Sequence, residues 1–325
     1  MKETVQVSVV QMDVAWLEHE VNRRRMESMA RAEAEAGAEL IVFPELANVG
    51  YIAPVMPGEP VGYGDLDFSQ FAATYWRAAE TVPGPTTDAL AAVARAHNVY
   101  IVVGLATRHP VIPGMLHNTA VLIGPDGVVG LHHKVHLPLN EKLYFCPGNQ
   151  VQPFHTALGC IGLAVCYDGR FPELPRLLAL RGAEIICNIW NITEGFRTVT
   201  PSHDSLVHRA YTRAQENGVW YINCNRSGRQ GEARFTGHSA VAAPNGTVVA
   251  HSETADEDVL RATLRESDLL QYRMCLGIFR DRRPELYGAL AEEPASAGCV
   301  RRRRRLRIWR SHGGGDGSFR RRLGG

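Results

Sequence analysis

The chain has 325 residues, of which 45% are hydrophobic and 21% charged, and its formal net charge is +1. That length can bury a sizeable core, and the composition is that of a globular chain rather than a disordered or collagen-like one. Charge is unevenly spread: residues 291–325 hold ten Arg against three acids, which leaves residues 1–290 mildly acidic, without the basic footprint of a nucleic-acid-binding body.

The opening MKETVQVSVVQMD lacks the long apolar core and small-residue cleavage site of a secretory signal, and within it VQVSVVQM (5–12) alternates as a strand does. A charged, Ala-rich helical stretch over 18–36 stops at Gly37, and LIVF (40–43) is a short buried-strand run stopped by Pro44. Residues 85–97 read as a helix opening on Pro85 and Thr86, followed by the strand YIVVGLAT. TAVLIGPDGVVGLHHK reads as a hairpin turning at Pro125-Asp126-Gly127. GCIGLAVC (159–166) is the next strand, then come a helix from Pro172 to about Arg181, the apolar run EIICNI, a helix over about 203–217 and the strand VWYINCN. SAVAAPNGTVVAHS is a second hairpin, with Asn245-Gly246 as its turn. No run of 18 apolar residues occurs, so no transmembrane helix is expected.

Strands interleaved with helices indicate an α/β fold, and the two hairpins require antiparallel pairing beside the parallel strands, hence a mixed sheet. No linker precedes about residue 290 and no internal repeat is visible, so 1–290 is expected to be one domain. After Leu290 the pattern collapses into an Arg/Gly-rich tail over 291–325 that cannot bury a core. A disordered extension is preferred there over a nucleic-acid or membrane-surface arm. Seven cysteines, an odd number without CxxC spacing, fit neither a disulfide framework nor a zinc site and point to the reducing cytoplasm.

Three segments share one arrangement, in which an apolar strand ends on a reactive side chain: LIVFPE on Glu45, VVGLHHK on Lys134 and IGLAVC on Cys166. In open α/β sheets ligands bind outside the carboxyl ends of strands, so three such ends can converge. A cysteine on a strand is ordinarily a small core hydrophobe, which is the reading for Cys160, Cys187 and Cys224. Cys166 differs: the tight YDGR segment follows it, and Pro172-Glu173 opens a helix. A thiol near a helix N-terminus with a lysine close by is expected to have a lowered pKa. Glu45, Lys134 and Glu141, each taken alone, read as ordinary loop or edge charges.

Together these segments resemble the nitrilase superfamily of carbon–nitrogen hydrolases, in its amidase and carbamoylase branches. The resemblance rests on FPE with a nearby GY, on HHKVHLP and on GLAVCYDGRFPE, and extends over about residues 5–288. It implies a four-layer α-β-β-α sandwich with mixed sheets, assembled as a homodimer or larger homo-oligomer. It also implies a Glu45-Lys134-Cys166 triad supported by Glu141, and no metal or organic cofactor. Glu45 would take the thiol proton, Cys166 would attack the amide carbon, and Lys134 with the Tyr167 backbone N–H would hold the oxyanion. Tyr51, Tyr167, Trp190 and Asn191, with Glu194 beside them, are expected near the substrate; Trp190 suits the acyl pocket, the core or a subunit interface.

Nitrilases proper resemble C-W-E after the nucleophile, whereas D-carbamoylases carry two adjacent arginines after C-N-D; here Gly169 precedes a single Arg170. Primary-amide hydrolysis therefore ranks first, N-carbamoyl hydrolysis second and nitrile hydrolysis third. His132, His133 and His136 raise the question of a metal, but adjacent strand residues point to opposite faces and no HExxH occurs. A non-catalytic binding scaffold is the remaining alternative, and the intact triad argues against it.

Overall fold

Side chains alternate across a strand, and a strand that is apolar on both faces must be covered on both. The computed structural model, which describes residues 1–51, 68–194 and 205–292, meets that demand with two six-stranded sheets packed face to face. The first has the order β14-β1-β2-β3-β4-β5, built from β1 (Thr4–Gln11), β2 (Leu40–Val42), β3 (Tyr100–Arg108), β4 (Leu116–Gly124), β5 (Gly127–His133) and β14 (Asp258–Arg265). The second has the order β13-β12-β9-β8-β7-β6, built from β6 (Phe154–Thr156), β7 (Gly159–Val165), β8 (Ile185–Trp190), β9 (Trp220–Asn225), β12 (Ala240–Ala242) and β13 (Val248–His251). A small ribbon of β10 (Arg229–Gln230) and β11 (Ala233–Arg234) stands apart.

Odd-numbered residues of β1, β7 and β8 point into the inner layer. Val5, Val7 and Val9 lie in one apolar cluster with Ile161, Leu163, Val165, Ile185, Cys187 and Ile189. The opposite faces meet helices: Ile41, Phe43, Ile101 and Val103 cluster with Met26 of α1 (His19–Glu35) and with Leu90 and Val93 of α3 (Pro85–His97). On the other side Ala164, Ile186 and Tyr221 cluster with Leu178 of α4 (Glu173–Leu180) and Ala210 of α5 (Ser205–Asn217). Burying each large aliphatic side chain stabilises the fold by about 1.5–3 kcal/mol. The result is the expected α-β-β-α order.

Both hairpins form. The first turns on Pro125-Asp126, since Gly124 already pairs with Gly127; at the second, Gly246 takes a φ of 92° and the Asn245 side chain accepts the Thr247 N–H. The sequence pattern misses α2 (Phe68–Ala78), α6 (Glu266–Leu276), β14 and the short strands β6, β10 and β11. Of α6 only Leu269 is buried, so an apolar stripe is missing and no period stands out. One compact unit covers Met1–Asp281; the next begins at Arg282, where the described residues make short turns over Pro284–Leu286 and Gly288–Ala291. From residue 293 the Arg-rich tail lies outside the described residues. Among the described residues no helix is long and apolar enough to cross a membrane.

Candidate active site

Glu45 follows β2 by way of Pro44, and the chain there still runs beside β3: the Gly104 N–H donates to the Pro44 carbonyl at 3.1 Å and Ala47 N–H to the Gly104 carbonyl at 2.7 Å. A Cβ at Gly104 would lie 2.5 Å from Glu45 Cα and 2.7 Å from Ile189 Cδ1, so only glycine lets the acid's backbone settle there. Lys134 comes directly after β5, anchored by its own N–H on the Asn118 carbonyl at 2.8 Å. Cys166 comes directly after β7 with a φ of 49°, a left-handed conformation that costs a non-glycine residue about 1–3 kcal/mol. The elbow Cys166–Arg170 is a 3₁₀ turn seated tightly on the second sheet, since a Cβ at Gly169 would come 2.0 Å from Asn188 Nδ2 and 2.8 Å from Trp190 Cζ2.

Six of the residues singled out in the sequence, Glu45, Tyr51, Lys134, Glu141, Cys166 and Asn191, meet here, and all are buried. The Lys134 ammonium donates to Glu45 Oε1 and to Glu141 Oε1, each at 2.7 Å. Tyr51 Oη donates to Glu141 Oε1 at 2.7 Å, and Asn118 Nδ2 donates to Glu45 Oε1 at 2.7 Å and to Glu141 Oε2 at 3.5 Å. Among the described residues, Glu45 Oε2, Asn118 Oδ1 and Asn191 Oδ1 are buried without a hydrogen-bond partner. Asn191 Nδ2 donates to the Glu45 backbone carbonyl at 2.8 Å, so all three unpaired acceptors belong to Glu45 or to a residue bonded to it.

Burial alone would push Lys134 down, but Cys166, Glu141 and Glu45 outweigh it and hold the ammonium well above the ordinary lysine range. Two carboxylates on one ammonium leave a negative charge in excess; burial, reinforced by Glu45, raises Glu141. The Cys166 thiol corrects the expectation of a lowered pKa. Burial and the Glu45 charge push it up further than Lys134 and a main-chain hydrogen bond from Asn191 pull it down. Burial and the Glu45 charge both favour the thiol over the thiolate.

Tyr51 Oη is taken up by Glu141, and the Tyr51 backbone is held by Gln230 through bonds of 3.1 and 2.6 Å. Trp190, expected near the substrate but open in sequence between acyl pocket, core and subunit interface, is packed in the inter-sheet core at 1% exposure, its indole N–H on Asn223 Oδ1 at 2.7 Å, where it supports the elbow through Gly169. Tyr167 is partly exposed and meets Phe171 edge-on at 5.2 Å, and Glu194 lies 3.9 Å from Arg234. His132 and His136 both bond to Asp168, at 2.9 and 2.8 Å, while His133 turns the other way and stacks on His117 at 4.1 Å. Sequence reasoning passed over Asn118 and Asp168. The available signal was a polar side chain inside a buried run, HNTAVLI for Asn118, which demands a partner.

The carbon–nitrogen hydrolase family matches the chain over residues 6–274. A nitrilase of Pyrococcus abyssi is 32% identical over 289 residues, covering 87% of this chain and 99% of that protein. Omega-amidase NIT2 of Mus musculus is 29% identical over 305 residues, covering 90% and 99%. Among solved structures, a double mutant of the amidase from Nesterenkonia sp. AN1 in complex with acrylamide superposes with a TM-score of 0.66 at 25% identity, covering 88% of this chain and 96% of that one.

Proposed function

Since the chain belongs to the carbon–nitrogen hydrolase family, we propose that it hydrolyses the C–N bond of a small amide, releasing ammonia and a carboxylic acid through a thioester on Cys166. The observation that carries this reading is the buried Lys134 ammonium bonded to Glu45 and Glu141, its charge acting on the Cys166 sulfur, while Glu45 keeps Oε2 unpaired. Glu45 takes the thiol proton as Sγ attacks the carbonyl carbon. Lys134 and the Tyr167 backbone N–H stabilise the oxyanion, each such donor being worth about 3–4 kcal/mol. Glu45 returns the proton to the departing nitrogen, the C–N bond breaks, and ammonia leaves. Glu45 then takes a proton from water, which attacks the thioester and frees the acid and the thiol. The scheme calls for no metal or organic cofactor.

The three unpaired acceptors around Glu45 favour an amide over a nitrile. An amide NH₂ offers two donors to such atoms, whereas a nitrile nitrogen offers only a lone pair. The omega-amidase and amidase relatives support the same order, and the relative named a nitrilase supports the opposite one. Ammonia release from aliphatic amides, ω-amides, N-carbamoyl amino acids and nitriles is the deciding assay. Amides should turn over fastest and Cys166→Ala should turn over none; a nitrile or carbamoyl substrate outrunning every amide would replace this reading. The half-exposed Leu177 and Leu180 of α4 and Tyr211 of α5 support a homo-oligomer joined through these helices, which sedimentation would test.

A further inference from the structure

His132 and His136 stand two residues either side of Lys134, and the bond chemistry above uses neither. Both rings end on one carboxylate. Asp168, two residues past Cys166 and fully buried, accepts from His132 Nε2 at 2.9 Å on Oδ2, and from the His136 ring Nδ1 at 2.8 Å and the His136 backbone N–H at 2.9 Å on Oδ1. The Val165 N–H, at the entry to the elbow, is 3.2 Å from Oδ2. Three of the four donors therefore come from the segment that carries Lys134, and the acceptor sits in the turn that carries Cys166.

The elbow needs such a hold. A left-handed cysteine persists only where its surroundings over-determine it, and the two catalytic segments belong to different sheets that share no backbone ladder. Four donors converge on two oxygens, so an ionised carboxylate suits the place better than an amide, which would turn an N–H against one of them. Burial by itself would raise the Asp168 carboxyl; the hydrogen bonds from His132 and His136 override it and hold the group well below the usual carboxylate range.

We propose that Asp168, tethered by His132 and His136, is a positioning residue that sets the Lys134 ammonium and the Cys166 sulfur in register across the two sheets. The inference rests on the catalytic reading above, and the test separates the two. His136 is only half-buried and stacks on Phe171 at 3.8 Å, so its substitution spares the core. An Asn amide N–H can stand where Nδ1–H stood, and Leu cannot donate. His136→Leu should lower kcat for amide hydrolysis by about tenfold to thirtyfold with KM changed by less than about threefold, and His136→Asn should recover most of the loss. His132→Leu and His132→Gln form the matching pair for Nε2. The rate of Cys166 alkylation by iodoacetamide, which needs no turnover, should follow the same order. Equal losses in the Leu and donor-keeping variants, or wild-type kcat and alkylation in the Leu variants, would overturn the positioning role. Failure of the catalytic reading looks different: the wild-type chain itself would hydrolyse no amide, or Cys166→Ala would still do so.

Discussion

Each sheet sets three parallel strands between antiparallel neighbours, β14 then β1-β2-β3 then β4-β5 in the first, and β6 then β7-β8-β9 then β12-β13 in the second. No repeat is visible in the sequence, so the recurrence is one of pairing and not of residues. The cargo differs. The first sheet delivers both charged groups, Glu45 after β2 and Lys134 after β5, already bonded to each other at 2.7 Å. The second delivers a buried sulfur after β7 on a strained turn. At the position matching β2, strand β8 leads to Asn191, which reaches across to the Glu45 carbonyl at 2.8 Å. In the proposed scheme, proton handling and nucleophile are separate products of two like scaffolds, and the reaction depends on how the scaffolds are clamped together.

Removing either product breaks the comparison most severely. Cys166→Ala should cost a factor on the order of 10⁴ or more in kcat while the melting temperature barely moves, and Cys166→Ser should be nearly as inactive; ammonia assays beside calorimetry check both. Glu45→Gln should cost about 10²–10⁴ in kcat, since the base is gone. Yet Glu45 is one of the groups that raise the thiol, so in this variant alkylation should reveal thiolate at lower pH than in wild type. Slower turnover with an unshifted alkylation profile would argue against Glu45 acting on the sulfur.

The clamp itself can be loosened from the middle. Leu163→Ala, in the inter-sheet core, should destabilise the fold by about 2–5 kcal/mol in urea unfolding, and an unchanged midpoint would refute the inner layer as described. The smallest effect belongs to the first sheet alone. Burial, aided by His117 and His132, lowers the His133 pKa from 6.5 to about 4. Between those values the unfolded chain binds a proton that the native one refuses, so stability should fall as pH drops through that window. His133→Gln should flatten the slope, read from unfolding curves at several pH values.

The reactive side chains were legible because each closes an apolar run: Glu45, Lys134 and Cys166 interrupt strand patterns in which a charge or a thiol at the end stands out. The resemblance of the surrounding motifs added Glu141. Their state was not legible. The expected lowering of the thiol pKa followed from a nearby lysine and helix start, whereas burial and Glu45, invisible in local sequence, push the thiol up further than Lys134 pulls it down. Trp190 was equally ambiguous, since an aromatic after a strand serves a pocket wall or a core with the same letters; Gly169 and Asn223 decided for the core.

By itself the sequence determined the strands with a clear apolar pattern, which of their faces are apolar and where the reactive ends fall, because side-chain period and turn chemistry act over a few residues. Only the tertiary structure decided that Lys134 bonds to a carboxylate 89 residues earlier, that Tyr51 serves Glu141, and that two histidines share Asp168. Those contacts depend on sheet against sheet, and no local pattern encodes the distance between two surfaces that meet only after folding.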